Sequence, residues 1–150
     1  MTVPAKAFHA PQKARHSSLW DIIGMPPRGA RLHEALREGL SFSVYAKLAG
    51  AADLKQKDLA RYVAIAPATL QRRAKAGRFN AEESDRLYRF AEVLETATEL
   101  FEGDVARARQ WITHPVRGLG GRRPVEMIAT SAETGAVLDL IGRMEHGVFA

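Results

Sequence analysis

The sequence predicts an all-α protein. In several segments apolar residues recur every three or four positions, which is the spacing of one face of a helix. Residues that favour helix starts and ends, chiefly Ser, Thr, Asn, Pro and Gly, flank these segments. No segment alternates convincingly between apolar and polar residues, so no strand is expected. The 150 residues suffice for one compact domain or two small helical ones.

The charge is unevenly distributed. The chain has 22 Lys and Arg against 17 Asp and Glu, a net charge of +5. Residues 28–80 carry a strong excess of cations, whereas residues 81–110 are acidic. A local basic excess attracts a polyanion such as DNA, although a solvated basic face is the simpler alternative.

Composition excludes several classes of protein. The chain has no Cys, which excludes a disulfide scaffold, a thiol nucleophile and cysteine-based metal sites. No uncharged stretch approaches the roughly 20 apolar residues of a membrane span. The first twenty residues lack the apolar run of a secretory signal. A cytoplasmic protein with no membrane partner is expected.

Residues 1–27 are predicted to form a flexible N-terminal arm. They lack apolar periodicity and end in Met25-Pro26-Pro27. Four apolar residues can pin this arm to the rest of the chain: Leu19, Trp20, Ile22 and Ile23.

Two helices are expected after the arm. The first begins near Arg31 and ends at Gly39, with an apolar face formed by Leu32, Ala35, Leu36 and Leu40. Ser41 or Ser43 can cap the second. Its inward residues would be Val44, Tyr45, Leu48 and Ala49.

Residues 55–77 predict a helix-turn-helix. Ala60 supplies a small residue where the two helices touch, and Ala64-Ile65-Ala66 would form the turn. Ala64 stands where many such turns have Gly. The inward residues would be Leu59, Val63, Ile65 and Leu70. A plain helical hairpin with a basic face is the alternative.

The second helix of this motif would offer polar side chains to DNA. Gln71 and Arg72 can hydrogen-bond base edges, and Thr69 can contact a base or a phosphate. The residues expected mostly at phosphates are Lys55, Gln56, Lys57, Arg73, Lys75 and Arg78.

Residues 81–110 predict a long acidic connecting helix and one helix after it. Asn80 can cap the long helix while Glu83 reaches back to form a capping box. The apolar stripe is expected to bury mostly within the subunit. It comprises Leu87, Phe90, Ala91, Leu94, Ala97, Thr98 and Phe101.

Residues 111–150 contain a distinctive set of residues. We expect a small core of Trp111, Leu119, Pro124, Met127 and Ile128. Pro124 would start a short helix, and Thr130 or Ser131 would cap the last one. Gly135 would give close backbone approach inside that last helix, which Gly147 ends before Val148-Phe149-Ala150.

This C-terminal set resembles the toxin-binding domain of the Xre/MbcA/ParS antitoxin family. The resemblance extends upstream through Thr69-Leu70-Gln71-Arg72-Arg73 and Gly77-Arg78-Phe79, and covers about residues 30–150. It implies a lambda-repressor-like, Xre-like helix-turn-helix bundle at residues 28–80. A small helical toxin-binding domain would follow at residues 111–150.

The resemblance also implies a role in a type II toxin–antitoxin system. The partner would be a RES-domain toxin, an enzyme that attacks NAD, and the antitoxin would form a homodimer that represses its own operon on promoter DNA. Its C-terminal end would plug the toxin's active site, with a terminal carboxylate in place of a phosphate. The toxin-binding residues would be Arg143, Met144, Glu145, Val148, Phe149 and Ala150.

An enzyme is not predicted, and neither is a cofactor or a metal. The chain lacks a His-Glu-x-x-His motif and a Gly-x-Ser-x-Gly motif. Gly118-Leu119-Gly120-Gly121 lacks the strand and the lysine–hydroxyl pair of a phosphate-binding loop, so it predicts a turn. The alternative function is a free-standing helix-turn-helix transcriptional repressor without a toxin partner.

Overall fold

The computed structural model describes residues 18–147. These residues form eight α-helices: α1 Leu19–Ile23, α2 Gly29–Glu38, α3 Phe42–Ala51, α4 Gln56–Tyr62, α5 Pro67–Ala76, α6 Ala81–Leu100, α7 Val105–Ile112 and α8 Ser131–Glu145. Two 3₁₀ turns, Arg117–Leu119 and Pro124–Glu126, lie between α7 and α8. Over residues 18–147 there is no strand, only isolated bridges, so the all-α prediction is confirmed.

The long helix α6 is the central element. It contacts α1, α2, α7 and α8. Its predicted apolar stripe is buried at Leu87, Phe90, Ala91, Leu94 and Ala97. The neighbouring helices therefore cover the stripe within one chain, as the spacing predicted.

Helix starts follow the predicted caps. Ser41 Oγ accepts from the Val44 amide at the start of α3. Asn80 and Glu83 form the predicted capping box of α6. Thr130, rather than Ser131, caps α8. Each cap supplies an acceptor for an amide that the first turn of a helix leaves without an intrahelical partner.

Residues 18–25 do not behave as the predicted flexible arm. They include α1, which packs against α3 and α6, and they bury Leu19, Ile23 and Met25. Trp20 stacks on Tyr88 of α6 with ring centroids 5.7 Å apart. Ile22 was expected to pin the segment but is 53% exposed. Residues 1–17 lie outside the part that the structure describes.

The C-terminal segment differs from prediction in two details. The short helix expected after Pro124 is a single 3₁₀ turn. Gly135 has open space where a Cβ would stand, so it does not mediate a close approach. The close approach is at Gly118, where a Cβ would lie 2.9 Å from Leu140 Cδ1. The expected core is confirmed at Leu119, Pro124, Met127 and Ile128, with Trp111 half-buried.

Candidate functional site

Helices α4 and α5 form the predicted helix-turn-helix. Ala60 and Val63 are buried where the helices meet, and the Ile65 amide donates to the Ala60 carbonyl at 2.8 Å. Ala64 has φ +56°, the left-handed conformation that glycine adopts most easily. An alanine therefore occupies the strained position of the turn.

Both ends of α4 are held by side chains from other helices. The Tyr45 hydroxyl, from α3, donates to the Gln56 carbonyl, and burial raises the pKa of Tyr45 so that the hydroxyl keeps its proton. At the other end, Arg86 Nε of α6 donates to the Val63 carbonyl at 2.7 Å. These bonds fix the position of α4 and therefore the place where the turn after it leads into α5.

Helix α5 lies at the surface of the protein. None of the ten residues Pro67–Ala76 is buried. Gln71, Arg72 and Lys75 are exposed, and at about 100° per residue they share one side of the helix. The half-buried Thr69 accepts a hydrogen bond from Arg72 Nη2 at 3.1 Å. This side of α5 thus presents donors and a cationic surface to solvent.

The predicted phosphate contacts separate into two groups. Lys55, Gln56 and Lys57 are exposed at the start of α4, and Lys55 is its N-cap without a side-chain capping bond. Arg78 is exposed while its Nη1 donates to the Gly39 carbonyl at 2.8 Å. Arg73 instead faces α6, where its Nε lies 2.7 Å from Glu83 Oε1. Arg73 is therefore paired with a carboxylate of the same chain, that of Glu83.

Two family models match the chain, one for each half. The antitoxin Xre-like helix-turn-helix domain matches residues 31–92, and the antitoxin Xre/MbcA/ParS C-terminal toxin-binding domain matches residues 96–147. A protein named Antitoxin Xre from Yersinia enterocolitica is 39% identical over 149 residues, covering 97% of this chain and 99% of the relative. The chain belongs to the Xre antitoxin family.

Two further relatives carry the same name. The Photorhabdus laumondii protein is 35% identical over 145 residues, which is 95% of this chain and 98% of the relative. The Pseudomonas putida protein is 30% identical over 66 residues, which is 44% of this chain and 41% of the relative. The family assignment points to a regulatory, non-catalytic role with a toxin as partner.

The two matched domains of the antitoxin share α6. Both family matches include part of Ala81–Leu100, so the change of domain falls inside a continuous helix. Arg109 Nε of α7 donates to the Ala51 carbonyl at the end of α3, at 2.9 Å. Arg123 stacks on Tyr62 of α4, with its guanidinium carbon 5.7 Å from the ring centroid. The toxin-binding domain therefore contacts the helix-turn-helix directly.

The predicted toxin-binding residues lie at the end of α8. Arg143 and Glu145 are exposed, and Met144 is half-buried. Val148, Phe149 and Ala150 lie outside the described residues. Over residues 18–147 no group of three His, Asp or Glu is arranged to hold a metal ion, and no helix is long and apolar enough to cross a membrane.

Sequence reasoning missed two arginines and a tyrosine that join neighbouring helices of the fold. Arg86, Arg109 and Tyr45 each hydrogen-bond a backbone carbonyl at a helix end. Their carbonyl partners lie 11 to 58 residues away. Helical periodicity reports only which face a residue lies on, so it gives no signal for such pairs.

Proposed function

We propose that this antitoxin represses its own operon by placing α5 in the major groove of promoter DNA, and that it neutralises a RES-domain toxin that degrades NAD. Residues 28–80 would read DNA, residues 111–150 would hold the toxin, and residues 81–110 would join them, all in the cytoplasm. One observation carries the DNA-binding half. The exposed side of α5 bears Gln71, Arg72 and Lys75 in a segment that matches an Xre-like helix-turn-helix.

The proposed contacts divide into base readers and phosphate contacts. Gln71 and Arg72 would hydrogen-bond base edges, and Thr69 would contact a base or a phosphate. Lys75 and Arg78 would meet phosphates on one side of α5, and Lys55, Gln56 and Lys57 would do so at the start of α4. The exposure of these seven residues, together with the half-exposed Thr69, leaves them accessible to DNA.

We propose a homodimer as the DNA-binding form. A single α5 reads only a few base pairs, and helix-turn-helix proteins gain affinity by placing two copies on half-sites about one helical turn apart. The operator would then contain a repeated or inverted half-site. Light scattering of the protein with and without a promoter fragment gives the number of copies.

Salt-dependent binding to the promoter fragment tests the DNA-binding half. Arg72→Ala should cost about 1–3 kcal/mol and relax specificity at one base pair. Lys75→Ala should weaken binding on all sequences alike. It should also reduce the salt slope, the steepness with which log K falls as log salt concentration rises, by about one. If the wild-type protein does not shift its promoter fragment at low salt, this half is wrong.

The toxin-binding half rests on the match of residues 96–147 to a toxin-binding domain and on the resemblance to the Xre/MbcA/ParS family. We propose that Arg143, Met144 and Glu145 contact the toxin at the mouth of its NAD pocket, and that Val148, Phe149 and Ala150 enter it. Removing residues 147–150 should release toxin activity and leave folding and DNA binding intact. A bulky C-terminal fusion should do the same, whereas an N-terminal fusion should not.

Co-expression with the adjacent gene tests the choice of partner. We expect that gene alone to arrest growth and deplete NAD, and the antitoxin to co-purify with its product. A repressor that binds its promoter but has no toxic neighbour would support the free-standing alternative. If the protein lacking residues 147–150 still rescues cells, inhibition comes from the surface of residues 111–146.

A further inference from the structure

We infer that Arg73 is a positioning residue, and that Glu83 holds the DNA-reading helix α5 in place through it. This inference rests on the proposed DNA-binding function of α5. It changes the role of Arg73 from a phosphate contact to an internal tether. The argument depends on three observations: the geometry of the ion pair, the scarcity of other anchors on α5 and the side of α5 from which Arg73 projects.

The ion pair is two-pronged and largely shielded from water. Arg73 Nε lies 2.7 Å from Glu83 Oε1, and Arg73 Nη2 lies 3.4 Å from Oε2. The Glu83 side chain is 7% exposed and the Arg73 side chain 27%. Oε1 also accepts from the Asn80 amide at 2.9 Å. The Asn80 amide thus orients the carboxylate independently of Arg73, which favours a fixed geometry of the ion pair.

Helix α5 has few other anchors. No residue of Pro67–Ala76 is buried, and Leu70 is its half-buried apolar contact. Beyond the helix end, the Gly77 carbonyl accepts from the Phe42 amide at 2.9 Å. Because little apolar area fixes α5, a shielded charge-assisted pair has a large share in setting its orientation.

Arg73 projects from the side of α5 opposite Gln71 and Lys75, whereas Arg72 lies about 100° and the half-buried Thr69 about 40° from it. Successive residues of a helix are turned by about 100°, so Arg73 lies about 160° from Gln71 and from Lys75. A guanidinium that reaches Glu83 from there faces α6 and not the groove of the DNA. The side of α5 that carries Gln71 and Lys75 is therefore free for DNA, while Arg73 fastens the helix to α6 from the other side.

Glu83→Gln distinguishes the two possible roles of Arg73, because they predict opposite changes in DNA affinity. Gln keeps an acceptor for the Asn80 amide, so the capping box can persist without the charge. If Arg73 is a tether, α5 loosens and DNA affinity falls. If Arg73 is a phosphate contact, the variant releases a cation, removes an anion and raises affinity. Glu82→Gln is the matched control, because Glu82 is the exposed neighbour on α6 and loses the same charge.

Two measurements on the full chain test the tether. The first is native-state hydrogen exchange at the α5 amides. For Glu83→Gln we expect exchange to be about tenfold faster over residues 70–76 and unchanged in the middle of α6. The second is binding to the promoter fragment at several salt concentrations. We expect about tenfold weaker binding with an unchanged salt slope, since no phosphate contact is lost.

Arg73→Gln extends the test from the other partner. It should match Glu83→Gln in both measurements, and the double variant should lose no more than either single one. Lys75→Ala is the reference for a phosphate contact and should reduce the salt slope by about one. If Glu83→Gln does not fold, as circular dichroism would show, Arg73→Gln on the more exposed side still supplies both readouts.

Three results would overturn the tether: tighter DNA binding by Glu83→Gln, a flatter salt slope for Arg73→Gln, or unchanged exchange in α5. If the wild-type protein does not bind its promoter, the proposed DNA-binding function fails instead. Hydrogen exchange then still decides whether Glu83 fixes α5.

Discussion

Gly39 and Phe79 lie backbone against backbone, so close that a Cβ on residue 39 would stand 1.9 Å from the Phe79 carbonyl oxygen. The Phe79 amide donates to the Leu40 carbonyl at 2.9 Å, and the Leu40 amide donates to Ser84 Oγ at 2.8 Å. This contact joins the turn between α2 and α3 to the chain between α5 and α6. It therefore fixes the point at which the chain returns to the core after α5.

Gly39→Ala should destabilise the protein by at least about 3 kcal/mol, because it adds a backbone clash at a φ of +93°. Gly135→Ala is the control. Gly135 lies inside α8 with open space at its Cβ, so Ala should stabilise the protein by about 0.5–1 kcal/mol. Urea unfolding of both variants checks the pair. Equal effects would contradict the close approach at Gly39.

Ala64→Gly should stabilise the protein by about 0.5–1 kcal/mol. The left-handed conformation of Ala64 costs about 1–2 kcal/mol, which exceeds the extra backbone freedom that Gly loses on folding. Ala74→Gly, at an exposed position inside α5, should instead destabilise by about 1 kcal/mol. Thermal unfolding compares the two variants. A destabilised Ala64→Gly would show that the turn does not strain Ala64.

Glu95→Gln should stabilise the protein at neutral pH and not in acid. Burial beneath α1 raises the pKa of Glu95, although the Leu19 amide, which donates to Oε2 at 3.1 Å, opposes the shift. The folded state then holds the Glu95 proton more tightly than the unfolded state. Stability from this group is lost as pH rises through the raised pKa. Gln keeps the acceptor without the charge.

The melting temperature measured from pH 4 to pH 8 checks this prediction. The gain of Glu95→Gln over wild type should appear on raising the pH and disappear towards the ordinary pKa of Glu, about 4.3. Glu34→Gln, exposed on α2, should show no such gain. A gain that does not change with pH would mean that the charge of Glu95 is not its cause.

Leu94→Asp should prevent folding. Leu94 is 1% exposed in the middle of the α6 stripe, and a buried carboxylate there would cost a large fraction of a total stability of about 5–15 kcal/mol. Leu94→Ala should cost about 2–5 kcal/mol and leave a folded protein. Circular dichroism and light scattering check both variants. A folded, monomeric Leu94→Asp would place the stripe at a dimer interface instead.

Much of the fold was predictable because the signals are local. The caps at Ser41 and Asn80, the stop at Gly77 and the turn at Ala64 each depend on residues within a few positions. Periodicity likewise identified the inward face of α6. The position and exposure of Gln71 and Arg72 followed from the helix register alone. Whether they read DNA stays a prediction.

The sequence by itself determined the helices, their ends and the side of each that turns inward, because backbone hydrogen bonds and apolar spacing act over a few residues. Only the tertiary structure decided which polar groups meet across the fold. It packed α1 against α6, directed Arg73 to Glu83 and brought Arg123 over Tyr62. The sequence places several cations on and near α5. Which of these cations face inward depends on long-range packing, because the sequence around a charged residue does not indicate which distant residue it will contact.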